Sequence, residues 1–331
     1  MTDPQQMSLF DRPPDPQPEE AAPSGTPDPA QAKEPALPVA ALSPDTSLAA
    51  ALNAWIEARR RSGLSENTLK NYRYDIQLLV EYAGAGASVG ACDTRILDDY
   101  LNWMRTGRGV PCSDKTYDRR VTALKSFFRW LTPTANLATD PAAPIVNVSV
   151  RSPLPTILTE AETARALAAA EALRAGEKPD LRPLVLFSFL LHTGLRKGEC
   201  ARLVRNHMDL ADAANPHLYV RYADKRHRHK ERKVSLDPDW VALFNEYAAE
   251  YDVREKIFPW SVRRLEYLLE DITKAGALGK HISFDMLRWT SAVRDWRAEI
   301  EPEKLRRKMG LSPMQWGEVR RKIVKLAAAD H

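Results

Sequence analysis

Long apolar runs, cysteine and tyrosines near the end of the chain are scarce among these 331 residues. No apolar run approaches the ~18 residues that a membrane-spanning helix needs, and no signal peptide is visible, so we expect no membrane insertion. The three cysteines, Cys92, Cys112 and Cys200, are scattered without metal-ligand spacing. This pattern predicts free thiols in a reducing cytoplasm, with no bound metal and no cofactor. The last tyrosine is Tyr267.

Acidic residues and prolines are concentrated in the first 44 positions. This segment holds 11 of the 24 prolines, and its seven acidic and two basic residues give it a net charge of −5. Such a segment buries too little apolar surface to offset its ordering entropy, which predicts a disordered tail over residues 1–45. The rest of the chain carries +9, because the whole chain carries +4. That charge favours a polyanionic partner, although any soluble basic protein would fit it equally well.

One short apolar cluster interrupts this acidic segment, at Gln6-Met7-Ser8-Leu9-Phe10. It resembles the peptide by which bacterial DNA-processing proteins dock on the replication sliding clamp. The resemblance implies that Gln6 hydrogen-bonds at the rim of a pocket that Leu9 and Phe10 fill. The alternative is that this pentapeptide occurs by chance.

Residues 46–134 have apolar positions at helical spacing and no strand-period pattern. A Ser65-Glu66-Asn67-Thr68 helix start precedes the second of four predicted helices, the third covers residues 94–105, and Ser113 begins the fourth. This region is therefore predicted to be a small helical bundle. Its expected core residues are Leu48, Leu52, Trp55, Ile56, Leu69, Tyr72, Ile76, Leu79, Val80, Val121, Leu124, Phe127, Phe128 and Trp130.

Residues 135–156 are predicted to be a linker, and residues 157–331 a second domain. Thr159 and Glu162 have the spacing of a capping box, which predicts a helix start. Two alternating segments, 217–222 and 231–236, flank a basic turn and predict a β-hairpin. We therefore expect a mainly α protein with a small β-sheet.

The segment His192-Thr193-Gly194-Leu195-Arg196-Lys197-Gly198-Glu199-Cys200 resembles the first active-site box of tyrosine recombinases, the family that includes phage integrases and Xer proteins. Segments of residues 46–134 are similar to that family's SAM-like core-binding domain. The resemblance covers residues 46–322. It implies a core-binding domain and a catalytic-type domain that form a C-shaped clamp around duplex DNA.

The resemblance assigns Arg196 and Arg288 as the two arginines that hold a DNA phosphate. Arg196 follows a predicted helix stop at Gly194 and lies at the mouth of the next helix, where a guanidinium can fork onto phosphate oxygens. An alternative is a surface arginine paired with Glu199. Arg288 follows Asp285 at i, i+3 spacing, which places both side chains on one helix face.

Three family positions are replaced in this sequence. Asp285 and Leu311 stand where the family has histidines, and Arg320 falls where the nucleophilic tyrosine is expected. A carboxylate repels a phosphate unless it pairs with Arg288 instead, and leucine cannot bond a phosphate oxygen. No residue near Arg320 can form a phosphotyrosine link.

The family places a lysine general acid on this hairpin, and two residues of this sequence are candidates for its position. Counting back from Lys230-Glu231-Arg232 places His227 at that position, and Lys225 fits only if the turn is two residues longer. The basic turn would equally bind DNA backbone without catalysis. The basic residues predicted to contact DNA are Lys70, Arg73, Arg119, Arg120, Lys125, Arg226, Arg228 and Lys230; each fits a solvated surface charge equally well.

Our main hypothesis is a DNA-binding protein of the bacterial nucleoid with this fold and without strand cleavage. The first alternative is an active site-specific recombinase, which would need a tyrosine given in trans by another chain or an unrecognised nucleophile such as Ser312 or Tyr267. The second is an adaptor that docks on the sliding clamp through Gln6–Phe10. The amphipathic segment 320–329, with Ile323, Val324 and Leu326 on its apolar side, would either dock on another subunit or recombinase or pack on its own chain.

Overall fold

The computed structural model describes residues 42–84, 86–110, 112–147 and 153–329. The chain divides into two compact units, Met1–Val150 (unit 1) and Arg151–His331 (unit 2). The predicted sliding-clamp peptide Gln6–Phe10 lies outside the described residues. Within the described ranges, no helix is long and apolar enough to cross a membrane, and no cluster of three or more metal-ligating side chains occurs.

Unit 1 is helical, as predicted. The side chain preceding each helix (Ser47, Ser65, Asp93 or Ser113) accepts the main-chain N–H three residues later, which satisfies a donor that the helix leaves unpaired. The helices are α1 (Leu48–Arg61), α2 (Glu66–Ala83), α3 (Thr94–Asn102) and α4 (Asp114–Thr134). The predicted third helix is shorter than expected, because a π-helical turn, Trp103–Gly107, replaces its last residues.

The core of unit 1 is formed by the apolar positions that helical spacing predicted. Twelve of those fourteen side chains are buried, and the exceptions are Tyr72 and Trp130, which are partly buried against the core. Tyr72 stacks on Trp55 with ring centroids 5.1 Å apart. The helical period therefore identified this core well.

Unit 2 combines helices with one small sheet. Its first helix begins at the predicted capping box of Thr159 and Glu162. The helices are α5 (Glu160–Ala175), α6 (Arg182–Thr193), α7 (Lys197–Cys200), α8 (Pro238–Glu250), α9 (Val262–Ala275), α10 (Phe284–Arg297), α11 (Pro302–Lys308) and α12 (Pro313–Ala328). Helix α6 is buried along most of its length, so the residues that follow it start from a fixed point in the core.

The sheet contains β1 (Met208–Asp209), β2 (His217–Val220) and β3 (Arg232–Ser235), all antiparallel in the order β1-β2-β3. The predicted hairpin is confirmed, with Val220 opposite Arg232. Its basic turn is a 3₁₀ helix, Lys225–Lys230. Strand β1 was not predicted, because two residues are too few for an alternating pattern.

Helix α12 packs on its own chain, against α10. Ile323 and Leu326 are buried in a cluster with Val293 and Leu305. The expectation that Val324 shares this apolar side is wrong, since its side chain is 43% exposed. The helix also begins at Pro313, earlier than predicted, because Ser312 and Gln315 form a capping box.

Candidate functional site

Arg196 is placed by the end of α6. Gly194 terminates that helix in the left-handed conformation, with φ 61°, and Arg196 then caps the short helix α7. Arg196 donates its main-chain N–H to Glu199 Oε2 and its Nη1 to Glu199 Oε1, both at 2.9 Å. Its side chain remains 33% exposed. The alternative pairing with Glu199 is therefore present, and it leaves part of the Arg196 side chain accessible.

Arg288 is on α10, and the residue is only 6% exposed. Its Nη1 donates to the Gly194 carbonyl at 2.7 Å, and its Nη2 donates to the Met309 carbonyl at 2.5 Å. Burial, reinforced by the charge of Arg196, lowers the pKa of Arg288 to about 9. Asp285 is exposed, and Arg288 donates to these carbonyls instead of forming the pair with Asp285 that the sequence suggested.

A buried carboxylate, Glu199, joins the surrounding groups. Arg232 on β3 donates Nη1 and Nη2 to its two oxygens at 2.9 Å each, and the Tyr222 hydroxyl donates to Oε1. Burial alone would raise the pKa of Glu199, but the bonds and charge of Arg232, with those of Tyr222 and Arg196, hold that pKa well below its usual 4.5. Glu199 is therefore an anion that fixes two arginines.

Arg232 and Tyr222 were not assigned to this site from the sequence. Arg232 alternates with the exposed Lys233, so the strand period could have indicated that Arg232 points inward. Nothing local marks Tyr222 as a neighbour of Glu199, because 23 residues separate the two. Burial and the bond to Glu199 raise the pKa of Tyr222, which makes its hydroxyl a poor nucleophile.

Arg196 and Arg288 both line a cavity of about 310 Å³ in unit 2. The fold thus places these two side chains in one cavity lining, although they are 92 positions apart in the sequence. Lys197 and His281 add further basic character to the wall, while Asp285 lies in the same lining. Lys197 is paired with Glu266 at 2.8 Å. The lining therefore holds two carboxylates, of which Glu266 is paired with Lys197, while Asp285 opposes anion binding beside the partly exposed Arg196.

The remaining replaced positions lie away from this lining. Leu311 packs in the apolar cluster between α10 and α12. Arg320 is exposed on α12, and its guanidinium lies over the Trp296 ring, 5.7 Å from the centroid.

Neither alternative nucleophile has a suitable setting. Ser312 caps α12 by accepting the Gln315 N–H. Tyr267 is on α9, and its hydroxyl accepts a hydrogen bond from Arg263 at 2.7 Å. Neither side chain belongs to the lining of the cavity.

The basic hairpin places His227 beside the Glu199 cluster. The rings of His227 and Tyr222 are 5.7 Å apart, and Tyr222 contacts Glu199. Lys225 is exposed, and within the described ranges it forms no hydrogen bond with Arg196 or Arg288. Of the two candidates for the hairpin position, His227 has the closer connection to the site. Arg226 pairs with Asp224, Arg228 is exposed and Lys230 is half-buried.

The basic residues predicted to contact DNA in unit 1 divide into exposed and buried groups. Lys70 and Arg73 are exposed, Lys125 is half-buried, and Arg119 is 40% exposed while it donates to Asp75 at 2.6 Å. The prediction that Arg120 contacts DNA needs correction, because its side chain is only 6% exposed. It lies four residues before Leu124 and seven before Phe127, on the apolar face of α4, a spacing that could have revealed its burial.

Comparisons with known proteins match a family model to part of unit 1 and relatives to about half of the chain. The model of the phage integrase N-terminal SAM-like domain matches residues 52–134. Tyrosine recombinase XerC of Mycobacterium bovis is 30% identical over 170 residues, which are 51% of this chain and 54% of that protein. The chain thus spans about half the length of the curated relatives it matches.

Two solved structures share the fold. The XerH site-specific recombinase bound to palindromic difH substrate, a post-cleavage complex, has a TM-score of 0.67 at 19% identity, with 85% of this chain and 82% of that chain covered. A lambda integrase dimer bound to a COC' core site has a TM-score of 0.65 at 18% identity, with 83% and 78% covered. The chain therefore has the fold of these recombinase and integrase structures, and about half of it is similar in sequence to tyrosine recombinases.

Proposed function

We propose that this protein binds double-stranded DNA, holds a backbone phosphate at Arg196, and does not cut the strand. The observation that carries the proposal is the cavity that Arg196 and Arg288 both line, in which the Arg196 side chain remains partly exposed. A guanidinium at this position can fork onto two phosphate oxygens. The XerH structure bound to its difH substrate and the lambda integrase dimer bound to a COC' core site support DNA as the ligand class.

The deficiency in cleavage rests on chemistry at three positions. The expected nucleophile position holds Arg320, which cannot form a phosphotyrosine bond. Asp285 brings negative charge to the lining where a phosphate would bind, and Leu311 offers no hydrogen bond. Tyr222 is the tyrosine that contacts Glu199, and its proton is committed to that carboxylate.

Unit 1 would contribute sequence-independent contacts. Its exposed cations Lys70 and Arg73, with the partly exposed Arg119 and Lys125, are suited to bind backbone phosphates and release counterions. The hairpin residues Lys225, Arg228 and Lys230 would add to the same electrostatic attraction from unit 2.

The test is fluorescence anisotropy with duplex DNA over a range of salt concentrations. Arg196→Ala should weaken binding and lower the slope of log affinity against log salt by about 0.9, the value for one lost phosphate contact. Arg254→Ala is the matched control, because Arg254 is exposed, lies outside the cavity and pairs with Asp252. Equal affinity of these two variants would refute the phosphate-binding role of Arg196.

Cleavage is tested separately with a nicked suicide substrate, which traps any covalent intermediate. We expect no protein–DNA adduct on a denaturing gel. An adduct formed by the unchanged protein, and reduced in Arg196→Ala, would instead establish an active recombinase with an unrecognised nucleophile.

A further inference from the structure

The turn between α11 and α12, Lys308–Gly310, faces the arginines of the site with its main chain. Its three consecutive carbonyls each accept a hydrogen bond from a different arginine. Arg232 Nε donates to the Lys308 carbonyl at 2.7 Å, and Arg288 Nη2 donates to the Met309 carbonyl at 2.5 Å. Arg196 Nη2 donates to the Gly310 carbonyl at 3.2 Å. One short turn therefore contacts all three guanidinium groups.

Gly310 is the residue that makes this approach sterically possible. Its φ of +56° is in the left-handed region, where a side chain is strained. A Cβ at Gly310 would lie 2.7 Å from Arg232 Nη1 and 3.3 Å from Arg196 Nη1. Arg232 cannot easily move aside, because Glu199 holds both of its terminal nitrogens. Any larger residue at position 310 would therefore displace the turn.

The turn is also anchored from its outer side. Lys308 Nζ donates to Asp295 Oδ2 at 2.6 Å and to Ser291 Oγ at 3.3 Å, and both partners are on α10. Arg306 Nη1 donates to the Leu311 carbonyl and closes the turn. These bonds involve none of the three site arginines. The carbonyls are thus held in place independently of the groups that they contact.

The carbonyls also reduce a local charge imbalance. Arg196, Arg232 and Arg288 gather around a single carboxylate, Glu199. Carbonyl oxygens carry partial negative charge, so three of them facing the guanidinium groups offset part of the repulsion between like charges. For Arg196 they do more, because Glu199 and the Gly310 carbonyl fix two separate nitrogens and so set the plane of the guanidinium.

We propose that the Lys308–Gly310 turn is the positioning element of the phosphate site, and that it acts on DNA binding through Arg196. This inference rests on the proposed function. A guanidinium already held in one orientation loses less conformational freedom when it binds a phosphate. Gly310 is therefore a positioning residue that contacts no DNA itself.

The experiment is a double-mutant cycle on duplex DNA affinity with Gly310→Ala, Arg196→Ala and the double variant. Gly310→Ala should weaken binding about five- to tenfold, the size expected when one long side chain must be ordered on binding. In the Arg196→Ala background the same change should have no further effect, because its route to the DNA is gone. Gly279→Ala is the control, since a Cβ there meets nothing within 4 Å.

The outcomes separate the two proposals. If Gly310→Ala weakens binding equally in both backgrounds, or not at all, the positioning role is excluded while the phosphate contact of Arg196 stands. If Arg196→Ala binds DNA as well as Arg254→Ala does, the proposed function fails and the inference fails with it. Should Gly310→Ala not fold, Lys308→Gln loosens the same turn at its Asp295 anchor, and its smaller loss must likewise vanish in the Arg196→Ala background.

Discussion

Each unit buries one carboxylate against two arginines, and the two clusters differ in how well that carboxylate is satisfied. In unit 2, Glu199 is bound by the buried Arg232 and the partly exposed Arg196. In unit 1, Asp75 is bound by the partly exposed Arg119 at 2.6 Å and approached by the buried Arg120, whose Nε lies 3.6 Å from Oδ1. Both clusters combine one carboxylate with two arginines, but their hydrogen bonding differs.

The difference appears in the pKa values of the two carboxyls. Both oxygens of Glu199 are hydrogen-bonded, and its pKa is held below 4.5. Asp75 Oδ1 and Arg120 Nε have no hydrogen-bond partner among the described residues, and burial raises the pKa of Asp75 above 3.8 despite both arginines. A buried ion pair therefore stabilises its charged form only where hydrogen bonds replace the water that both groups lost.

The largest expected effect is the loss of stability when each carboxylate is neutralised. Glu199→Gln should destabilise unit 2 by about 3–5 kcal/mol, because Arg232 would remain buried without a counter-charge. Asp75→Asn should cost unit 1 about 1–2 kcal/mol, since that carboxylate already has an unfavourable environment. Hydrogen exchange followed peptide by peptide during urea unfolding measures the free energy of unfolding of each unit. Equal costs in the two units would remove the contrast.

The second expected effect is an opposite response to acid. Glu199 has a depressed folded pKa, so its stabilisation is present above pH 4.5 and is lost as the pH falls further. Asp75 has a raised folded pKa, so its destabilisation is present at higher pH and is relieved as the pH falls towards 3.8.

Hydrogen exchange between about pH 6 and about pH 2.5 covers the range in which both contributions change. Glu199→Gln should flatten the acid response of unit 2, and Asp75→Asn that of unit 1. A response in unit 1 that Asp75→Asn leaves unchanged would show that other groups control its acid stability.

The sequence predicted the parts of the site that local spacing encodes. The helix stop at Gly194 and the position of Arg288 on a helix face follow from short-range patterns, whereas the assignment of Arg196 and Arg288 to a phosphate site came from the family resemblance. The pairing of Arg196 with Glu199 also follows from their spacing of three residues. The contact of Arg232 with Glu199 does not, because the two are 33 residues apart in the sequence and meet only in the folded chain. The Lys308–Gly310 turn was missed for a different reason. It acts through main-chain carbonyls, which every residue has, and a sequence pattern contains no sign of them.

The smallest expected effect concerns DNA affinity in unit 1, where neighbouring arginines have different exposure. Arg119→Gln should weaken binding slightly, because the Arg119 side chain is 40% exposed. It should lower the slope of log affinity against log salt by up to about 1, the value for one phosphate contact. Arg120→Met removes the same formal charge from the adjacent position but should leave the salt slope unchanged, because the guanidinium is buried beside Cys112 and Met104. Exposure, not charge count, would then determine which cations reach the DNA. A drop in slope for Arg120→Met as large as that for Arg119→Gln, in a variant that retains native hydrogen exchange, would mean that long-range charge matters more than contact.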